Sequence, residues 1–398
     1  MPGIAALALA YVLSQFFRSF LAVLSPVLIS ELGASKSDLA LASGAFFLTF
    51  GLMQFAVGVA LDRYGPRRTA SLIFGIFAGA GAFVFAAAQG PGQLILAMAL
   101  IGVACAPVLM ASYFIYARNF HASRFAVLTS WLVAFGMLGN VISASPLAWA
   151  AEAYGWRACM AGLGVVSMAL AASVFFLADD PASVKAEEKP GLSGYLRLLK
   201  DKRFWPLIPM MVVSYAPVVG IRGLWAGPYM HDVFGADAAA IGAATLWMAF
   251  GMIAGSFLYG PADRFFGSQK WVIFSGNLVS LAAIAAIAVF PVSSIVFVTF
   301  ALTAIGSFGL SYGLQMAHAR SFMSAALVGR GVTLMNFFNI MGVGVMQFAT
   351  GWVVSSATDA ARAEAAYSAL FWFYVALLTL ALAIFTFARE AERARREG

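Results

Sequence analysis

Charge is scarce in this chain. Only 10% of its 398 residues are Asp, Glu, Lys or Arg while 62% are hydrophobic, against roughly 25% charged in a soluble domain, so a water-soluble globule is excluded. Cysteine is rarer still: Cys105 and Cys159 both sit in apolar runs, which leaves neither a disulfide framework nor a Cys-based metal cluster. The three histidines, His121, His231 and His318, fall near the ends of apolar runs. Enzyme signatures are missing. There is no G-x-S-x-G, no H-E-x-x-H and no acid pair inside an apolar run, so hydrolytic chemistry lacks its nucleophile, base or metal ligands, and neither an enzyme nor a bound cofactor is expected. No positive charge precedes the first apolar run and Arg18 interrupts it, which does not match a cleaved secretory signal.

What remains is apolar sequence in lengths that fit a bilayer. Runs punctuated by Gly, Pro and charge predict an all-α membrane protein with twelve transmembrane helices, near 4–30, 38–61, 69–88, 92–117, 124–150 and 157–178, then 205–230, 238–262, 270–290, 292–318, 327–356 and 365–388. The segment from Asp179 to Arg203 is the one long polar connection. It divides the chain into an N-terminal half (1–178), a linker (179–203), a C-terminal half (204–388) and a short tail (389–398).

The net charge of +7 follows from topology, and no nucleic-acid partner is implied. Nineteen of the 24 Lys and Arg residues lie in alternate loops and the tail, three (Lys36, Arg157 and Arg362) in the opposite loops, and two, Arg18 and Arg222, inside spans. An excess of basic residues marks the cytoplasmic side, so both termini are expected there. Short loops without an N-x-S/T sequon suit a bacterial inner membrane, with the lipid bilayer as solvent and a monomer as the working unit.

The halves repeat. At an offset of 202 residues Pro26, Gly33 and Ala34 match Pro228, Gly235 and Ala236, Gly65 matches Gly267, and Ala117, Arg118 and Phe120 match Ala319, Arg320 and Phe322. Two parallel six-helix repeats with a midplane site between them are the economical reading. Between the second and third spans, Gly58, Asp62, Arg63, Gly65, Arg67 and Arg68 form a pattern that resembles the signature loop of the major facilitator superfamily. A degraded copy, Gly260, Asp263, Arg264, Gly267 and Lys270, carries one extra residue between Asp and Gly. The resemblance implies the major facilitator fold, with Asp62, Arg63, Gly65, Arg67, Asp263 and Arg264 helping to lock a cytoplasmic gate.

The most informative feature is an asymmetry of sign. All 17 acidic residues fall outside the span interiors, whereas Arg18 and Arg222 lie within the first and seventh spans. A charge at the bilayer centre costs about 2.5–3.5 kcal/mol and needs a partner or water. An anionic substrate would balance it, and the guanidinium fork favours planar carboxylate, nitrate or phosphate. Tyr11, Ser14, Gln15, Arg18, Ala22 and Ser25 share one stripe of the first span; Tyr215, Val219, Arg222 and Trp225 share one of the seventh. Tyr312, Gln315, Asn336 and Asn339 on later spans, with Tyr113 and Tyr116 on the fourth, are further cavity candidates. Arg18 followed by Pro26 is similar to the first span of anion:cation symporters, and paired arginines look like those of organophosphate exchangers. The symporters' acidic proton relay is missing, since Phe17 neighbours Arg18 and the fourth span offers Ala104 and Cys105. The expected function is therefore transport of a small, carboxylate-like organic anion by alternating access, as facilitated diffusion, exchange, or cotransport with a proton on the substrate. Alternatives are riboflavin import, copper import through Met248 and Met252, and export of drugs or metabolites. Gly136, Gly139 and Asn140 on the fifth span, with Pro146 beyond, loosely resemble the family's glycine-rich hinge.

Overall fold

The computed structural model describes residues 2–119, 122–180, 193–323, 328–357 and 363–390, and among them every regular element is a helix. Ten helices are long and apolar enough to cross a bilayer, and two bent pairs bring the total to twelve spans. In chain order, span 1 is Pro2–Phe16 with Leu21–Leu32, span 2 Lys36–Leu61, span 3 Arg63–Ala86, span 4 Pro91–Tyr116, span 5 Trp131–Ile142 with Ser145–Tyr154, and span 6 Trp156–Leu177. The second half comprises span 7 Leu207–Phe234, span 8 Ala238–Tyr259, span 9 Gln269–Val289, span 10 Ile295–Arg320, span 11 Gly331–Ala357 and span 12 Ala363–Phe385. An even number of crossings puts both chain ends on one face, here the terminal face. The internal repeat is visible in the backbone: Gly33 and Gly235 close spans 1 and 7 with φ 62° and 64°, and Gly65 and Gly267 turn the chain into spans 3 and 9 with φ 79° and 73°.

Helix irregularity marks the middle of the molecule, which the apolar periodicity did not reveal. Span 1 bends by 49° across residues 17–20. There Arg18 N and Ser19 N donate to the carbonyls of Gln15 and Phe16 in tightened turns, and the Ser19 hydroxyl donates to the Gln15 carbonyl at 3.3 Å, a side-chain competitor that bends helices. Span 5 bends by 41° between Ile142 and Ser145. Pro146 follows, and having no N–H it cannot satisfy the Ile142 carbonyl. Span 7 widens to a π-helical turn over Ile221–Trp225.

The halves meet through small residues. A Cβ on Gly227 would stand 1.8 Å from the Ala22 carbonyl oxygen and one on Gly223 2.7 Å from that of Arg18, so spans 1 and 7 touch backbone to backbone, as small-residue motifs allow in membranes. Gly242 of span 8 packs on Ser145 and Ala148 of span 5, and Gly351 of span 11 on Ala40 of span 2. At the face opposite the termini, Lys36 Nζ of the first half reaches Asp232 Oδ2 of the second at 2.6 Å. The same oxygen accepts from the Tyr367 hydroxyl at 2.5 Å. Towards the terminal face the halves still touch where Phe55 of span 2 meets Phe337 of span 11, centroids 5.1 Å apart. Spans 4 and 10, by contrast, share no extended contact among the described residues. The molecule is thus sealed at the opposite face and parted between spans 4 and 10.

The span 1–span 7 approach sets a strict size limit. Gly227→Ala forces a methyl into the Ala22 carbonyl, and overpacking of this kind costs about 1–3 kcal/mol. A lowered thermal midpoint in detergent is the expected result; an unchanged midpoint would show that the two backbones do not touch.

Candidate functional site

Arg18 and Arg222 come together, with Gln15, Ser19, Asn140, Tyr215, Val219 and Met252, around a cavity of about 10 Å³, room for about one water. Their surroundings differ. Arg18 sits in the break of span 1, half-buried, its guanidinium carbon 4.7 Å from the centre of the Phe50 ring. Among the described residues it makes no ion pair, and its Nε has no hydrogen-bond partner. Arg222, only 2% exposed, reaches from span 7 into the other half: Nη1 donates to Asn140 Oδ1 at 3.1 Å and Nη2 to the Asn140 carbonyl oxygen. Asn140 lies at the end of the first segment of span 5, where the bend leaves carbonyls at a helix C-terminus, the end of a helix that attracts a cation. Ser19 Oγ also lies 3.2 Å from Asn140 Oδ1 and 2.8 Å from Ser143 Oγ, whose hydroxyl can donate to it. The result is a polar string across spans 1, 5 and 7.

Several of the other expected site residues gather near Arg18. Gln15 Nε2 donates to the Tyr11 hydroxyl at 3.0 Å, and the Tyr11 ring fills the space a Cβ on Gly136 would occupy. Tyr215, which lines the arginine cavity, and Tyr312 have ring centroids 6.3 Å apart. The Tyr312 hydroxyl donates to Asn336 Oδ1 at 2.9 Å. Gln315 serves the framework: its Nε2 donates to Ser214 Oγ at 2.8 Å and to Ser311 Oγ at 2.7 Å, and Ser311 also accepts from Asn277 at 2.8 Å. Asn339 is buried with an unpartnered Oδ1. Trp225 stands apart from the cavity: it is fully buried and its Nε1 donates to Thr350 of span 11 at 3.0 Å.

The two turns on the terminal face share one design. Gly65 lets the chain reverse, and Arg67 N, exposed at the start of a helix, donates to Asp180 Oδ1 at 2.9 Å, while the Arg67 guanidinium lies 4.8 Å from the Phe175 ring centre. In the second half Glu390, past the end of span 12, accepts from Ser268 Oγ at 2.6 Å and from Lys270 N at 3.5 Å. An acid following the last span of each half therefore caps the third helix of that half, where the dipole favours negative charge. Arg63 is exposed beside Tyr64. The side chains of Asp62, Asp263 and Arg264 lie outside the described structure, as does His121.

The Major Facilitator Superfamily family model matches residues 7–223, more than half of the chain. The chain belongs to this superfamily, whose members are transporters and not enzymes. It is 24% identical over 296 residues to a protein named hexuronate transporter from Bacillus subtilis (strain 168), covering 70% of this chain and 68% of the relative. It is 25% identical over 306 residues to a membrane sensor protein, UhpC, of Salmonella typhimurium, covering 68% of this chain and 64% of that one. The crystal structure of a D-xylose-proton symporter superposes with a TM-score of 0.79 at 14% identity, over 98% of each chain, which establishes the fold alone.

The cavity around the two arginines lies where spans 1, 5, 7 and 8 converge. Met252 lines it, Met248 and Met252 both pack on Gly306 of span 10, and among the described residues no group of three His, Cys, Asp or Glu side chains could hold a metal. His318 is buried, with Nε2 2.9 Å from the Arg389 carbonyl oxygen, well away from the arginines. Asp180, Glu390 and the Arg222–Asn140 contact escaped the sequence reading, because each joins segments far apart in the chain.

The Gly65–Asp180 contact generates a stability prediction. Gly65→Ala puts an L side chain at φ 79°, with its Cβ 2.5 Å from Asp180 Oδ1, and is expected to cost about 1–2 kcal/mol. Asp180→Ala removes only the cap, about 1 kcal/mol. Both act on one contact, so the double variant should lose less than the sum in thermal unfolding; strict additivity would dissociate Gly65 from Asp180.

Proposed function

We propose that this major facilitator carries a small organic anion, with Arg18 as the group that receives its carboxylate. One observation carries the proposal: Arg18 is a half-buried guanidinium halfway along span 1, with no ion pair among the described residues and no acid in any span interior. A cation so placed is costly unless water or a ligand anion compensates it. Arg222, in the same cavity wall, supplies a second positive field, and the hydroxyls of Tyr11, Tyr215 and Tyr312 suit a ligand body with polar substituents. A relative named for hexuronates, which are sugar acids, fits this chemistry.

The surplus of Lys and Arg on the terminal face supports a cytoplasmic position for that face, and the short loops without an N-x-S/T sequon favour a bacterial inner membrane. In this reading the state described is closed to the outside by Lys36 and Asp232 and parted between spans 4 and 10 towards the inside. The turns at Gly65 and Gly267 belong to the cytoplasmic gate. With no carboxylate beside the arginines, a coupling proton travels on the substrate, or the anion moves by facilitated diffusion or exchange.

Arg18→Ala is expected to abolish transport while leaving the thermal midpoint of the empty protein within a few degrees, and Arg18→Lys to retain weak activity because the bidentate fork is lost. A thermal-shift screen of purified protein across mono- and dicarboxylates, phosphate esters, nitrate, riboflavin and Cu(I) checks the ligand class, since a binder at a hundred times its Kd stabilises by about 2.7 kcal/mol. Stabilisation by one anion class that disappears in Arg18→Ala supports the reading. Response to riboflavin or Cu(I) alone, or an unchanged response in Arg18→Ala, would sink it.

A further inference from the structure

We infer that Asn140 is a built-in surrogate for the substrate carboxylate: it occupies Arg222 while the site is empty and yields it when a carboxylate received by Arg18 bridges to Arg222 in the same cavity wall, releasing span 5 from span 7. The inference rests on the anion reading above. Asn140 presents two oxygens to one guanidinium, Oδ1 at 3.1 Å from Nη1 and its own carbonyl oxygen against Nη2. That is the two-point pattern a carboxylate offers, made from neutral atoms. A neutral surrogate holds the cation in place yet loses to a true carboxylate, whose charge-assisted hydrogen bonds are roughly twice as strong.

The backbone makes the second oxygen available. The bend after Ile142 ends a helix two residues beyond Asn140, and the π-helical turn over Ile221–Trp225 carries Arg222, which reaches it. Asn140 lines the same cavity as Arg18 and Arg222, so a carboxylate entering it meets the Arg222 guanidinium together with the residue that occupies it. Arg222 belongs to the second half and Asn140 to the first, so exchanging one oxygen pair for the other changes a contact between halves. Arg222 Nε, buried and unpartnered, is left over by Asn140 and becomes a further donor for the incoming anion.

Asn140→Ala and Asn140→Asp test this, with D-glucuronate as probe, D-glucose as neutral control, and tryptophan fluorescence titration beside thermal unfolding as readouts. Asn140→Ala removes one competing oxygen, so glucuronate should bind several-fold more tightly while the empty protein melts lower. Asn140→Asp supplies a permanent charged partner, so the empty protein should melt higher and glucuronate should bind roughly tenfold more weakly. A residue that merely packs the bend would weaken binding or leave it alone in both variants and raise the midpoint in neither. Glucuronate binding to the wild type that is unchanged, or moved the same way, in both variants overturns the surrogate and leaves the anion reading standing. No wild-type response to glucuronate or to any other anion of the thermal-shift screen, or an equal response to glucose, overturns both.

Discussion

A guanidinium in the membrane interior with no acid beside it is the constraint on which this structure turns. The cost of such a group is about 2.5–3.5 kcal/mol even on permissive scales, and the protein meets it in two ways. Arg222 is given the end of a helix: the bend in span 5 exposes carbonyl groups, and Asn140 adds an amide oxygen to them. Arg18 is given an aromatic face and a half-buried position. The first solution is complete within the protein and the second is not. That difference separates a cation whose partners are supplied by the other half from one left without an ion pair among the described residues.

Both solutions depend on helices that are not regular. The break over residues 17–20 and the π-helical turn over Ile221–Trp225 fall at corresponding places in the two repeats, since 17–20 shifted by 202 residues is 219–222. A regular helix would satisfy its own carbonyls and turn its side chains at a fixed 100° per residue. Irregularity frees carbonyls and re-aims side chains, which is why such turns collect at functional positions. The glycine contacts follow from the same need. With Gly223 and Gly227 against the Arg18 and Ala22 carbonyls, spans 1 and 7 approach closely enough for both arginines to share one cavity wall.

Twelve spans, the internal repeat and the glycine turns at Gly65 and Gly267 were legible in the sequence because each is written locally, in hydropathy, charge and glycine placement. That Arg18, Arg222, Gln15 and Tyr215 gather around one cavity was legible for a similar reason: an ionisable group in an apolar run has few innocent explanations. Trp225 was not. It shares a stripe with Arg222 only if the helix between them is regular, and the π-helical turn rotates it away to Thr350. Asn140 was read as part of a hinge, and its role emerges only when span 7, 82 residues later, is laid beside it. Asp180 and Glu390 look in sequence like the polar residues that follow any span. Their meaning depends on the helices they cap, more than 100 residues away.

The contacts between halves differ in kind, and the difference orders the steps of a transport cycle. Lys36 and Asp232 are each 21% exposed, and an ion pair of that kind contributes on the order of 0–1 kcal/mol; it fixes alignment at the opposite face and is easily parted. The glycine contacts along spans 1 and 7 are dispersion between backbones, insensitive to charge and lost only when the helices separate. Arg222 with Asn140 lies between these extremes, because breaking it without a replacement strands a buried cation, whereas breaking it in exchange for a carboxylate does not. Under the proposed exchange an empty carrier meets a barrier at the middle of the membrane that a loaded one avoids, and that barrier comes from the arginine rather than from the gates at either face.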